Sequence, residues 1–159
     1  MHTEPQAEHQ WLDKLVGKWV SECECSMGPD QPPSNTRGTE VVRSLGGLWV
    51  VAEGEGEMPD GETGTTLMTL GYDPQTKRYT GTFVGSMMTH MWIYSGSLNE
   101  AKTTLTLETE GPNFSQNAMA PYKDIIEFVT DDHRIMTSQI LTDDGQWHQF
   151  MTAHYRRYQ

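Results

Sequence analysis

The stretch RIMTSQILTDDGQWHQFMTAHY, residues 134–155, carries the pattern that decides the fold. Two runs rich in Ile, Thr, Met and aromatic residues flank the short segment TDDGQ, residues 142–146. Asp and Gly at such a point are typical of a tight turn, because Asp bonds to its own backbone and Gly tolerates positive φ. The stretch therefore predicts two antiparallel β-strands joined by a tight turn.

The faces of these two strands indicate what kind of β protein this is. In the first run one face carries Ile135, Thr137, Gln139 and Leu141, and the other carries Met136, Ser138 and Ile140. In the second run one face carries Trp147, Gln149, Met151, Ala153 and Tyr155, and the other carries His148, Phe150, Thr152 and His154. A solid sandwich core shows a cleaner apolar alternation than this. Mixed inward faces favour a barrel that holds water or a ligand.

Similar runs separated by turn signals fill most of the remaining chain and bring the predicted count to about ten strands. Closing such a set into an up-and-down antiparallel barrel removes the two unpaired edges. Trp11, Leu12, Leu15 and Val16 recur at helical spacing and predict a short N-terminal helix. We therefore expect an all-β single domain over residues 1–159, with an N-terminal segment 1–18 and a barrel 19–159.

Composition excludes several classes of partner. The net charge of -11 and pI near 4.8 argue against nucleic acid and anionic membranes, which recruit basic surfaces. No apolar run approaches the roughly 20 residues of a membrane span, and the polar start lacks the features of a signal peptide. Cys23 and Cys25 share one strand face about 6.5–7 Å apart, which is long for a disulfide. These features favour a cytoplasmic protein with free thiols.

The segment LVGKWV, residues 15–20, resembles the Gly-x-Trp opening of lipocalins and other calycin barrels. In those barrels a short helix leads into the first strand, and the tryptophan plugs the closed end. The resemblance therefore implies a calycin-like barrel in which Trp19 closes the bottom.

A longer part of the chain, from Trp11 to Arg156, resembles a bacterial family of unknown function numbered fifteen seventy-nine. The shared features are LVGKW, LGGLWVVAEGEG, LGYDPQTKRYTGTFVGSM, a Met-rich hairpin ending in YSG, and a terminal YRR. In that family an acidic residue often precedes the serine of the Ser-Met pair, whereas Gly85 precedes Ser86 here. The family carries no agreed activity, so the resemblance implies a fold and leaves the function open.

The stretch SMMTHMWIYSG, residues 86–96, packs three of the ten methionines around His90. Soft thioethers with imidazole suit Cu(I) or haem. Methionine is also the usual filler of irregular apolar cavities, and neighbouring residues of a strand point in opposite directions. We favour a cavity wall near the barrel mouth and expect a ligand site formed by Trp19, Met87, Met88, His90, Trp92, Tyr94 and His154.

A second relative of the calycins provides an alternative. The nitrobindin-like barrels hold haem iron through one histidine late in the chain, and this sequence shares their length, the Gly-Lys-Trp opening and late histidines. That resemblance implies His154 or His148 as an iron ligand.

Enzymatic motifs are absent from the sequence. There is no Gly-x-Ser-x-Gly elbow, no His-Glu-x-x-His and no phosphate-binding glycine loop. Glu53, Glu55 and Glu57 share one strand face and are best interpreted as a solvated outer surface. We expect no catalytic residue, no metal site and no cofactor.

The leading prediction is non-catalytic binding of a small hydrophobic or amphipathic molecule inside the barrel. The alternatives are haem or nitric-oxide binding, and a structural module with a filled barrel that forms a homodimer.

Overall fold

Ten antiparallel strands form one closed barrel in the computed structural model, which describes residues 3–26 and 32–158. Each strand pairs with its neighbours in the chain, and the first strand pairs with the last. The predicted ten-stranded up-and-down barrel with a short N-terminal helix is therefore confirmed. The elements are α1 Ala7–Leu12, a 3₁₀ turn Asp13–Leu15, β1 Gly17–Cys25, β2 Ser34–Leu45, β3 Trp49–Glu57, β4 Thr63–Asp73, β5 Arg78–Gly85, β6 Trp92–Leu98, β7 Thr104–Pro112, β8 Met119–Thr130, β9 His133–Leu141 and β10 Trp147–Arg157.

Helix α1 covers one end of the barrel, which we call the floor. The helix has only six residues, too few to be stable alone, so its apolar face must pack against the strands. Trp11 is buried edge-on against Phe128, with ring centroids 5.6 Å apart, and its indole N–H donates to the carbonyl of Lys102 over 2.7 Å. The Tyr79 hydroxyl donates to the carbonyl of Glu8 over 2.8 Å. These bonds hold the helix across the floor.

Trp19 seals the barrel beside the helix. Its side chain is fully buried, and its indole N–H donates to the Leu15 carbonyl over 2.8 Å. The guanidinium carbons of Arg134 and Arg157 lie 4.6 Å and 4.2 Å from the centre of the Trp19 ring. Gly17 has φ +137°, and a Cβ there would lie 2.4 Å from the Arg157 side chain. In the Gly-Lys-Trp segment, Gly17 therefore leaves room for the Arg157 side chain, and Trp19 packs against two guanidinium groups.

One β-bulge changes the faces of β10 relative to the sequence prediction. The register of β10 against β9 shifts between Gln149 and Met151, so Phe150 is the extra residue. Strict alternation predicts Phe150 on the face opposite Met151, yet both side chains line the barrel interior. The bulge also turns Trp147 outward, where the ammonium of Lys123 lies 4.2 Å from its ring.

Several surface and core assignments can be compared with their predictions. Glu53, Glu55 and Glu57 are exposed on β3, as expected for a solvated outer face. Trp49 and Trp147 are also exposed and do not line the barrel interior. The cysteines are free thiols. No helix within the described ranges is long and apolar enough to span a membrane.

Candidate ligand-binding cavity

A cavity of about 450 Å³ occupies the barrel interior. It extends from Leu15 at the floor to the opposite end, which we call the mouth. There the strand-connecting loops 86–91 and 113–118 contribute Met88, His90, Asn113 and Gln116 to its wall. The Met-rich hairpin therefore lies at the mouth of the barrel.

Small residues on β3 help to leave the interior open. In the segment AEGEGE, residues 52–57, the three glutamates are exposed while Ala52 lines the cavity. Gly54 and Gly56 alternate with the glutamates and so follow Ala52 on the inward face. Large apolar residues on the other strands, among them Met68, Leu70, Phe83, Ile126 and Met136, complete the wall. The part of β3 from Ala52 to Gly56 adds almost no side-chain volume to the interior, and it leaves space that the bulky residues of the other strands do not fill.

Aromatic rings border the mouth in a connected series. His90 packs edge-on against Trp92 at 4.8 Å between centroids, and Trp92 packs edge-on against Tyr122 at 4.8 Å. Phe150 continues the series, 5.9 Å from Tyr122 and 5.1 Å from Phe114. Edge-to-face packing of this kind fixes ring orientation. The mouth is therefore an ordered aromatic rim.

The hairpin residues are held by their own hydrogen bonds. The Nε2–H of His90 donates to the carbonyl of Glu110 over 2.8 Å, which leaves Nδ1 with the lone pair. The Trp92 indole N–H contacts the Met88 sulfur at 3.0 Å. Gly111 lies under the Trp92 ring, where a Cβ would come within 2.1 Å of the ring. These contacts fix Met88, His90 and Trp92 around the opening.

A carboxylate lies in the middle of the cavity wall. Asp124 on β8 accepts hydrogen bonds from the Tyr94 hydroxyl and, over 2.6 Å, from the Ser138 hydroxyl. Burial raises the pKa of Asp124, and the two hydroxyl donors oppose that rise. Burial and the nearby Asp124 charge raise the pKa of Tyr94 well above its usual value, so Tyr94 stays a neutral donor. The three side chains form one polar group on an otherwise apolar wall.

A second polar group lies nearer the floor. Arg134 on β9 is almost fully buried and forms an ion pair with Glu40 on β2. One face of its guanidinium packs on Trp19, and its carbon also lies 4.0 Å from the Tyr155 ring centre. The Arg134 Nε–H has no hydrogen-bond partner within the described part of the chain, and neither does the buried Thr109 hydroxyl, which also lines the cavity.

The predicted site residues divide into three sets. Met88, His90, Trp92 and Tyr94 line the cavity together. Trp19 is part of the floor and is screened from the cavity lining by its neighbours. Met87 and His154 do not line the cavity: Met87 is 41% exposed, and its sulfur packs near Gly85.

His154 lies on the outer face of β10. Its ring stacks on His133 at 5.2 Å between centroids, and its Nδ1 lies 3.0 Å from the Nε2 of His133. His148 is exposed and pairs with Asp144 at 2.9 Å. Among the histidines in the described ranges, His90 alone lines the cavity.

The sequence-based site missed four polar residues that line the cavity, namely the half-buried Glu40 and Asp124 and the buried Arg134 and Ser138. A signal for two of them was available. Asp124 lies two residues from Tyr122 and from Ile126, and Arg134 lies two residues before Met136, so each charge shares a face with large apolar residues. A charge on an apolar strand face points to a functional interior.

The polar groups of the cavity are arranged to recognise a polar atom of a ligand. The Ser138 and Tyr94 hydroxyls both donate to the Asp124 carboxyl group, which lines the cavity between apolar residues. Across the residues the structure describes, no cluster of three or more His, Cys, Asp or Glu side chains is placed to hold a metal ion.

Several solved structures share this fold. Rv2717c from M. tuberculosis is 12% identical with a TM-score of 0.63, covering 98% of this chain and 100% of that chain. The S-type phycobiliprotein lyase CPES from Guillardia theta is 16% identical with a TM-score of 0.62, covering 98% and 99%. EF1p2_mFAP2b, solved bound to DFHBI, is 11% identical with a TM-score of 0.51, covering 96% and 100%. At these identities the likeness establishes the fold alone.

No curated protein matches the chain. One protein family does, the family described as "Protein of unknown function (DUF1579)", and its match covers residues 4–157. The resemblance carried by LVGKW, the glycine-bounded LGGLWVVAEGEG and the terminal YRR is therefore confirmed. The chain belongs to the DUF1579 family.

Proposed function

We propose that the protein binds a small amphipathic molecule inside its barrel and does not transform it. One observation carries this proposal: a cavity of about 450 Å³ opens at the mouth and combines apolar walls with buried polar groups. Ligand pockets in proteins are commonly about 300–1,000 Å³, mostly apolar, with a few placed polar groups. The apolar body of the ligand would contact Met68, Phe83 and Met136, while its polar end would reach Asp124 or Arg134.

The structural neighbours support the same class of function. One of them, EF1p2_mFAP2b, was solved bound to DFHBI, and another is a phycobiliprotein lyase. A barrel of this fold is therefore able to enclose an organic molecule.

A cavity-blocking variant tests the proposal. Ala52 is 8% exposed and lines the cavity, whereas the next residue, Glu53, faces solvent. Ala52→Trp fills the interior, and Glu53→Trp adds the same side chain outside, which makes the two a matched pair. We expect the neutral dye Nile red to bind the natural protein and Glu53→Trp alike, and to bind Ala52→Trp at least ~10-fold more weakly.

Circular dichroism verifies that both variants are folded, and Ala52→Leu replaces Ala52→Trp should the larger residue prevent folding. The proposal fails when the natural protein does not bind the dye. It also fails when the folded interior variant binds it as tightly as Glu53→Trp does.

The haem alternative does not fit the residues that the sequence suggested for it. His154 and His148 lie outside the cavity, and the Nε2 of His90 is engaged with the Glu110 carbonyl. Two carboxylates, Glu40 and Asp124, also line the cavity. Haemin titration of the natural protein, His90→Ala and His154→Ala tests this alternative directly. A Soret shift that His154→Ala abolishes would restore it.

The remaining alternative, a structural module with a filled barrel, conflicts with the open cavity. Homodimer formation and a cytoplasmic location stay proposals. The two free thiols support the second of them, because oxidising compartments favour disulfides. Sedimentation equilibrium tests the first.

A further inference from the structure

Resting on the proposed function, we infer that the polar end of the ligand is a nitrogen group that donates N–H bonds to Asp124. The cavity then selects an organic cation, such as a primary amine on an apolar chain, over an anion of the same shape.

The charges of the cavity do not balance. Two carboxyl groups, Glu40 and Asp124, and one guanidinium, Arg134, line it. Glu40 and Arg134 neutralise each other as an ion pair. Asp124 is held only by the hydroxyls of Tyr94 and Ser138, so its ionised form has no cationic partner. In that ionised form the interior carries one uncompensated negative charge, which a ligand cation would compensate and so favour.

Asp124 also retains unused acceptor positions. An ionised carboxylate offers about four lone-pair sites on its two oxygens. One oxygen accepts from Tyr94 and the other from Ser138, so about two sites remain. Because Asp124 lines the cavity, these sites can be reached by a molecule inside it. A primary ammonium group, with three N–H donors, matches this acceptor capacity.

Arg134 is poorly placed to attract an anion instead. Its terminal nitrogen is bonded to Glu40, and its planar group packs against the Trp19 and Tyr155 rings. A carboxylate would also approach Asp124, and two like charges in a low-dielectric interior repel strongly. Arg134 therefore forms part of the wall rather than a free anion clamp, because Glu40 already occupies one of its terminal nitrogens.

Two unpaired polar atoms in the cavity wall also favour a ligand that carries a polar group. Within the described residues, Arg134 Nε and the Thr109 hydroxyl are buried without a hydrogen-bond partner, and both residues line the cavity. Buried polar atoms are paired in the great majority of cases. A lone pair on the ligand, such as an ether or hydroxyl oxygen, would satisfy the Arg134 Nε–H. This adds an acceptor to the nitrogen group that faces Asp124.

A series of ten-carbon probes tests the inference. Decylamine, decanol and decanoate share one apolar chain and differ only in the polar end. Each is measured by displacement of Nile red at pH 7 and 0.15 M salt, which screens the general attraction of a protein with net charge -11 for cations. We expect decylamine to bind at least ~10-fold more tightly than decanoate, with decanol between them.

Asp124→Asn is the decisive variant, and Glu127→Gln is its control, because Glu127 lies exposed on the same strand. We expect Asp124→Asn to reduce the amine-to-carboxylate ratio to within ~3-fold while decanol binding changes little. Glu127→Gln should leave the ratio unchanged. Since both variants are isosteric, retained decanol binding reports an intact cavity in each.

The outcomes separate the two proposals. Equal binding of the three probes, or a preference for decanoate, overturns the inference and leaves ligand binding in the barrel standing. A preference for the amine that persists in Asp124→Asn also overturns it, because surface charge would then explain the preference. When no probe binds and no Nile red is displaced or bound, the proposed function itself fails.

Discussion

Replacing Trp19 by phenylalanine measures how much the floor of the barrel contributes to stability. Phenylalanine lacks the N–H that bonds the Leu15 carbonyl at 2.8 Å, which costs about 1 kcal/mol. The smaller ring leaves a void at a fully buried site, for about 1–2 kcal/mol more. Weaker contacts with the guanidinium groups of Arg134 and Arg157 add about 0.5–1 kcal/mol. We expect a total loss of about 3 kcal/mol in the free energy of unfolding.

Urea unfolding followed by far-ultraviolet circular dichroism is the appropriate assay, because the substitution changes the tryptophan fluorescence itself. A loss of about 3 kcal/mol corresponds to a fall in Tm of roughly 6–12 °C for a domain of this size. Trp147→Phe is the matched control, since Trp147 is 38% exposed and we expect a cost below about 1 kcal/mol. A Trp19→Phe cost no larger than the control would refute the role assigned to the floor.

Three further predictions concern charged groups and a thiol. Arg134→Met leaves Glu40 as an unpaired charge and should cost about 3–5 kcal/mol in urea unfolding, whereas adding Glu40→Gln should recover most of that loss. Hydrogen bonds from Thr142, Gln146 and His148 lower the pKa of Asp144 to about 2, so its contribution to stability is complete above its unfolded pKa and is lost as the pH falls through about 2. Carboxyl titration by nuclear magnetic resonance should find that midpoint, and Thr142→Val should raise it towards 3.8; an unchanged midpoint would contradict the assignment. Burial raises the pKa of Cys23 to about 11, so iodoacetamide at pH 8 should alkylate it at least ~100-fold more slowly in the folded than in the unfolded protein, and equal rates would show an accessible thiolate.

Local pattern was sufficient to predict the barrel. Turn residues such as Asp143, Asp144 and Gly145 mark the end of a strand within a few positions, and mixed strand faces indicated an interior that is not solidly apolar. The closed order follows from short connections between consecutive strands. The Gly-Lys-Trp segment was also informative, because Gly17 leaves room for Arg157 and Trp19 fills the floor of the barrel.

The details that local pattern cannot provide depend on residues far apart in the chain. Arg134 and Glu40 are 94 positions apart, and no short window of sequence indicates that they pair. The bulge at Phe150 reverses the faces of β10, and nothing in the segment WHQFMTAHY identifies the inserted residue. Met87 and His154 were assigned to the interior on the character of their side chains, but Met87 lies in the loop after β5 and His154 lies on the outer face of β10, so neither lines the cavity. Asp124 lies outside the predicted site, which consisted of histidine, methionine and aromatic residues.

The pairing of β1 with β10 determines when the cavity wall is complete. Residues 17–25 meet residues 147–157 in this seam, so it is the contact of longest sequence separation in the ring. Contacts of this kind are slow to form, because a long loop must close before they are made. Glu40 on β2 and Arg134 on β9 lie on opposite sides of this seam along the ring, so the closed seam is what brings the pair together. The complete cavity wall, and with it the proposed binding of a ligand, therefore requires the last strand of the chain to be in place.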